Sequence, residues 1–145
     1  MFVLGSDADD IDTLKRTAQF CKDTKIENPQ FSILTPLPGT QTFNELNAQG
    51  RIFTRNWDFY DCAHSVFMPK KMTPYELQTQ VRNQTKDLYW MTRRGFKFLL
   101  GNFSSSTSII NKCFRWDKQN KSYMNFLKGV VKNRRPLLKA GKLKL

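Results

Sequence analysis

Residues 2–36 read "FVLGSDADDIDTLKRTAQFCKDTKIENPQFSILTP", and this stretch decides the fold. An apolar triplet, Phe2, Val3 and Leu4, runs into Gly5 and then into four acids within six residues. The triplet predicts the stub of a buried strand. Asp9 or Asp10 is placed to cap a helix, with the neighbouring acids at its positive end. Ile11, Leu14, Ala18 and Cys21 recur at helical spacing, so one face of that helix is apolar. Asn28 and Pro29 stop it, and "FSIL" predicts a second apolar strand. Strand, helix and strand within about 30 residues form a βαβ unit, whose strands must lie parallel. Both strands are short and apolar throughout, as in sheets covered on both faces. Two such strands do not complete a parallel sheet. The sequence therefore predicts that companion strands come from elsewhere, from a longer protein or from a partner chain.

The second strand leads into "TPLPGT". Pro36 and Pro38 fix their own backbone angles and restrict the residues before them. Gly39 permits a sharp turn and a close approach. Thr40 then caps a short helix carrying Phe43 and Leu46. In parallel α/β folds, ligands gather beyond the carboxyl ends of strands, where this turn falls. It reads equally as a ligand edge and as a rigid connector. Farther on, "TPYE" is a capping box, with Thr73 at the cap, Pro74 at the first helical position and Glu76 reaching back. Leu77, Val81 and Leu88 continue that helix towards Gly95, and a short strand is expected at residues 65–68.

Composition narrows the classes. The formal charge is +12, yet it is concentrated at one end. Residues 1–111 hold 13 basic and 11 acidic side chains, whereas residues 112–145 hold 11 basic and one acidic, Asp117. Basicity is a property of the tail, so a nucleic-acid role for the whole chain is excluded. The tail, with Phe114, Trp116, Tyr123 and Phe126, offers RNA phosphate contact and stacking. Its last stretch offers an anionic membrane surface instead. A solvated helix face with its apolar side packed on the domain accounts for it as well. Cys21, Cys62 and Cys113 lie far apart and make a poor disulfide framework, which fits free thiols in a reducing compartment. Neither a secretory leader nor an apolar run long enough to span a bilayer is evident, so a cytoplasmic location is expected.

Three segments, "FVLGSDADDIDTLKRTAQF", "QFSILTPLPGTQTFNEL" and "GRIFTRNWDFYDCAHSVFMPKKMTPYELQ", together resemble the C-terminal half of radical S-adenosylmethionine enzymes of the cobalamin-binding-domain type. The resemblance covers about residues 1–100. It implies an α/β fold: the last two βα units of a partial parallel, TIM-like barrel in residues 1–50. A family-specific extension with a capped helix follows in 51–111, whereas the basic helical tail in 112–145 is read from its own residues. The resemblance further implies a 4Fe-4S cluster held by a CxxxCxxC motif, reductive cleavage of S-adenosylmethionine, and in some members cobalamin. The cluster motif is missing from this sequence, so the chain by itself is not expected to catalyse that reaction without its N-terminal half or a split-gene partner. By the same resemblance Val3, Gly5, Leu34, Thr35 and Pro36 are the expected cofactor-side residues.

Trp57, Tyr60 and His64 are carried as secondary, substrate-side candidates. For Trp57, Phe59 and Tyr60, packing of the extension is the preferred reading. His64, the lone histidine, reads better as a loop residue beside Asp61 than as half of a Cys62–His64 nucleophilic pair. Asp7, Asp9, Asp10 and Asp12 do not match a calcium loop, and helix N-terminal acids explain them.

Overall fold

A computed structural model describes residues 1–26, 29–91, 115, 118 and 120–139, with the side chains of 89–91 and 134–139 excepted. Strand β1 (Phe2–Leu4) leads through helix α1 (Ile11–Asp23) to strand β2 (Phe31–Ile33). The strands pair in parallel, with Phe2 opposite Phe31, Val3 opposite Ser32 and Leu4 opposite Ile33. Helix α2 (Gln41–Ala48), a 3₁₀ turn (Trp57–Phe59), helix α3 (Pro74–Met91) and helix α4 (Lys121–Lys139) follow.

Local chemistry sets these boundaries. Asp10 caps α1 by accepting from the Thr13 N–H at 2.7 Å. Thr40 caps α2 by accepting from the Phe43 N–H at 3.2 Å. The capping box at α3 is reciprocal. The Thr73 N–H donates to Glu76 Oε2 at 2.8 Å, and the Glu76 N–H donates to Thr73 Oγ1 at 3.1 Å. The strand expected at 65–68 is reduced to an antiparallel bridge between Ile52 and Phe67, flanked by the bonds Phe53 N–H to Val66 O and Met68 N–H to Arg51 O. Helix α4 runs through Pro136, which does not end it. The expected end of α3 near Gly95 lies outside the described residues.

One face of the two-stranded sheet is covered. Leu4 and Ile33 pack with Leu14 of α1 and with Met72, Leu77 and Val81 at and within α3. A second cluster joins Ala18 and Cys21 of α1 to Leu88 of α3, and Phe31 touches both clusters. By strand alternation Val3, Ser32 and Leu34 belong to the opposite face. There Val3 is 52% exposed, although Ser32 is buried. Among the described residues no strand pairs with the outer edge of β1. The bonds Phe2 N–H to Gln30 O and Leu34 N–H to Leu4 O, both 2.8 Å, use the inner side of the ladder, so the Val3 main chain points outward.

The expected partial barrel is therefore corrected. Among the described residues the sheet has two strands only. After β2 no third parallel strand joins it among the described residues. The chain returns through α3, whose apolar stripe of Leu77, Val81 and Leu88 closes over the face that α1 already covers.

Candidate functional site

Parallel pairing brings the segments that follow Leu4 and Ile33 to the same end of the sheet. The first of these is tied down throughout. The N–H groups of Gly5 and Ser6 both donate to Asp9 Oδ2 at 2.9 Å. Asp7 takes a two-pronged bond from the Arg51 guanidinium and a further contact from Lys70 Nζ at 3.1 Å. Lys71 Nζ donates to the Ala8 carbonyl at 2.8 Å. Arg51 is 1% exposed and also donates through Nε to Met68 O at 2.7 Å and through Nη1 to Gln49 Oε1 at 3.0 Å. The Arg51 hydrogen bond holds the Asp7 carboxyl below its usual range, against a smaller opposing effect of burial, and Lys70 adds to the lowering. Each early acid thus has a protein partner: Asp12 pairs with Arg16 at 3.1 Å, and Asp10 is the α1 cap.

In the second segment the Thr35 hydroxyl donates back to the Ile33 carbonyl at 3.1 Å, Pro36 is buried and Leu37 is exposed. Gly39 takes a φ of +85° with open space around it, so the turn does present backbone outward. Val3 and the half-buried Leu34 share the less covered sheet face. Gly5 is placed differently. Its φ is +100°, and a β-carbon there would meet Leu77 Cδ2 at 2.7 Å, so it serves the packing of α3.

A third group lies along the segment after α2. The Ile33 N–H donates to the Cys62 carbonyl at 2.7 Å, which pins this segment beside the end of β2. His64 is 6% exposed. Its Nδ1 lies 2.9 Å from both Asp61 carboxylate oxygens and its Nε2 lies 2.6 Å from Asn120 Oδ1. Burial raises the Asp61 pKa, but hydrogen bonds from His64 and the Ala63 N–H outweigh it and leave a net lowering. Gln78 of α3 clamps the same loop, accepting from the Ser65 N–H at 2.8 Å and donating to the Ala63 carbonyl at 2.6 Å. Tyr123 of α4 donates to the Ser65 carbonyl at 2.6 Å, and burial, with Asp61 and Tyr60 adding, pushes its phenol far above the ordinary value. The rings of Phe59, His64 and Tyr123 stack with centroids 4.3–5.2 Å apart.

Both ring nitrogens of His64 thus face Asp61 and Asn120, and no Cys62–His64 pair forms. The group is an internal lock joining the loop, α3 and α4. Trp57 stands apart at 56% exposure, with its ring 4.8 Å from that of Tyr60. Sequence reasoning missed Arg51, Gln78 and Asn120. Their partners lie 44, 13 and 56 positions away, where no local pattern points. Tyr123, one of the tail aromatics that also offered RNA stacking, is buried in the fold with Leu127.

The chain is similar to three curated proteins. It is 36% identical over 88 residues to bacteriochlorophyllide d C-12(1)-methyltransferase of Chlorobaculum tepidum, a match that covers 61% of this chain and 19% of the relative. It is 30% identical over 88 residues to bacteriochlorophyllide d C-8(2)-methyltransferase of the same organism, covering 61% and 20%. It is 27% identical over 88 residues to an uncharacterized methyltransferase of Pyrococcus horikoshii, covering 61% and 19%. The chain thus matches about a fifth of the length of these relatives. No family model and no solved structure matches it.

These findings correct the expectation of a radical S-adenosylmethionine iron–sulfur enzyme of the cobalamin-binding type, because the relatives are named as methyltransferases. Among the described residues no group of three or more His, Cys, Asp or Glu side chains is placed to hold a metal. Cys21 is buried between α1 and α3 with its thiol pKa raised by burial, Cys62 is exposed elsewhere, and Cys113 lies outside the described residues. The S-adenosylmethionine part of the cofactor expectation is in keeping with relatives named as methyltransferases. Nothing supports a 4Fe-4S cluster or cobalamin. No helix among the described residues is long and apolar enough to cross a membrane.

Proposed function

We propose that this chain is part of an S-adenosylmethionine-dependent methyltransferase, in which the β1–α1–β2 unit forms one wall of the methyl-donor site. The observation that carries the reading is the 36% identity over 88 residues to a protein named as a methyltransferase. The fold supports it in one respect: two βα segments emerge at one end of a parallel pair, where α/β proteins hold nucleotide-like ligands. In this reading Val3 and Leu34 give the donor an apolar wall, and the turn of Thr35 and Pro36 gives it a rigid edge. Gly5 shapes the wall indirectly by admitting Leu77. When bound, S-adenosylmethionine supplies an electrophilic methyl group. The chain's own residues bind, orient and shield it from water.

The outer edge of β1, unpaired among the described residues, and the exposed Val3 support a further element of the proposal. A companion polypeptide, or a longer form of the same one, supplies the neighbouring strand and the remaining walls. The alternative, an RNA- or membrane-binding tail, draws no support from α4, whose Tyr123 and Leu127 are buried in the fold.

The test is equilibrium dialysis of the full chain against labelled S-adenosylmethionine. Saturable binding is expected, with a dissociation constant no weaker than about 1 mM. Val3→Arg, at an exposed position, should lose that binding while keeping the melting curve. Absence of saturation, or equal binding by the Val3→Arg variant, overturns the proposal.

A further inference from the structure

We propose that the aromatic step of the exposed Trp57 and the half-buried Tyr60 docks a large, flat, conjugated ring that carries a carboxylate, with Arg55 as the cation that meets the carboxylate. The inference rests on the methyltransferase reading and names the class of its methyl acceptor.

An indole is normally among the most buried groups of a fold, because it offers so much apolar area. Trp57 instead leaves 56% of itself in solvent. It is not a loose side chain. Its ring is tilted 56° to that of Tyr60 at 4.8 Å, and the Tyr60 hydroxyl is fixed to the Thr54 carbonyl at 2.9 Å. Asn56 caps the turn beneath, accepting from the Asp58 N–H at 3.1 Å. The step is therefore preorganised, which lowers the ordering cost of stacking a ligand on it.

Charge is placed to match. Arg55 is exposed, its positive charge acts on the Tyr60 phenol, and one guanidinium nitrogen is tethered to Asn47 Oδ1 at 2.8 Å. An exposed planar guanidinium two residues before Trp57 suits a carboxylate on the rim of a stacked ring. The position is right as well, because the Ile33–Cys62 bond anchors this segment beside the end of β2, the proposed donor side. The choice of occupant follows from two relatives whose names specify bacteriochlorophyllides. Chemically these are flat, conjugated macrocyclic acids.

The experiment titrates the full chain with pheophorbide a and, separately, with its methyl ester, reading the pigment absorbance shift and tryptophan quenching. Saturable binding of the acid below about 100 µM is expected. Trp57→Leu should weaken it at least about tenfold, and Trp57→Phe should restore most of the loss. Arg55→Gln should weaken the acid about fivefold and leave the ester unchanged. Equal affinity in wild type and Trp57→Leu, both with native melting curves, overturns the inference. So does a concentration-dependent dimer that Trp57→Leu abolishes without changing pigment affinity, since the step would then cover a second copy. The two readings fail separately. Pigment binding through Trp57 without S-adenosylmethionine binding sinks the donor site alone, and the reverse sinks the acceptor site alone.

Discussion

Replacing Gly5 by alanine tests how the strand end is built. Two costs are visible. The φ of +100° lies where an L-residue is strained, at about 1–2 kcal/mol. The new β-carbon would also stand 2.7 Å from Leu77 Cδ2. Ordinary carbon contacts fall near 3.5–4.0 Å, so about 1 Å of overlap must be relieved. Leu77 is fully buried among Leu4, Leu14 and Ile33, so relief displaces packed neighbours at about 1–3 kcal/mol. Together the Gly5→Ala variant should lose about 3 kcal/mol, or about 10 °C in Tm for a chain of this size. Leu77→Ala alone should lose about 3 kcal/mol through its cavity. In the double variant the overlap is gone and only the backbone strain remains. The two losses should therefore fall short of additivity by about 1–2 kcal/mol. Urea unfolding of the four proteins measures this cycle. A Gly5→Ala loss under about 1 kcal/mol with no coupling to Leu77 refutes the packing account. If that variant folded normally and lost only S-adenosylmethionine binding, Gly5 would be a ligand-side residue after all.

Further outcomes follow from the buried polar groups. Arg51→Met should cost about 2–4 kcal/mol at neutral pH, because a buried guanidinium with four bonds is replaced by an apolar chain of similar reach. Asp7 has its pKa depressed from 3.8, so its share of that stability is present above this value and is lost as pH falls through the lower folded value. The gap between wild type and variant in urea should narrow at acid pH, and a gap independent of pH counts against the pairing. Gln84 is 6% exposed with neither amide atom hydrogen-bonded, so Gln84→Leu should stabilise the protein by about 1 kcal/mol or more in thermal melts. A loss would mean that the amide has work elsewhere. Thr73→Ala should cost about 1 kcal/mol by chemical denaturation, since it removes half of the α3 capping box, and no change would mean that packing alone sets the helix start.

What the sequence made legible was local. Asp10, Thr40 and the Thr73–Glu76 box each act within three or four residues, and each sits where its residue type placed it. The parallel partnership of residues 2–4 and 31–33 could be read because a helix of this length between two short, mainly apolar segments leaves few other topologies. The barrel could not be read so, because it depended on family likeness and on strands that these residues do not supply. His64 shows the same division at finer scale. Its neighbour Asp61 was visible in sequence, three positions away, but Asn120 closes the other side of the ring from 56 positions away. Only that distant contact turns a loop histidine into a joint between the loop and the segment leading into α4. Arg51 makes the point from the opposite direction. No local pattern in its aromatic-rich segment marks Arg51, and the fold brings Asp7, 44 residues earlier, against it. Arg51 is deeply committed, whereas Arg55, four residues on, is exposed, as is the nearby Trp57. Between these two arginines the chain passes from holding itself together to offering a surface, and the proposed ligand belongs with the second.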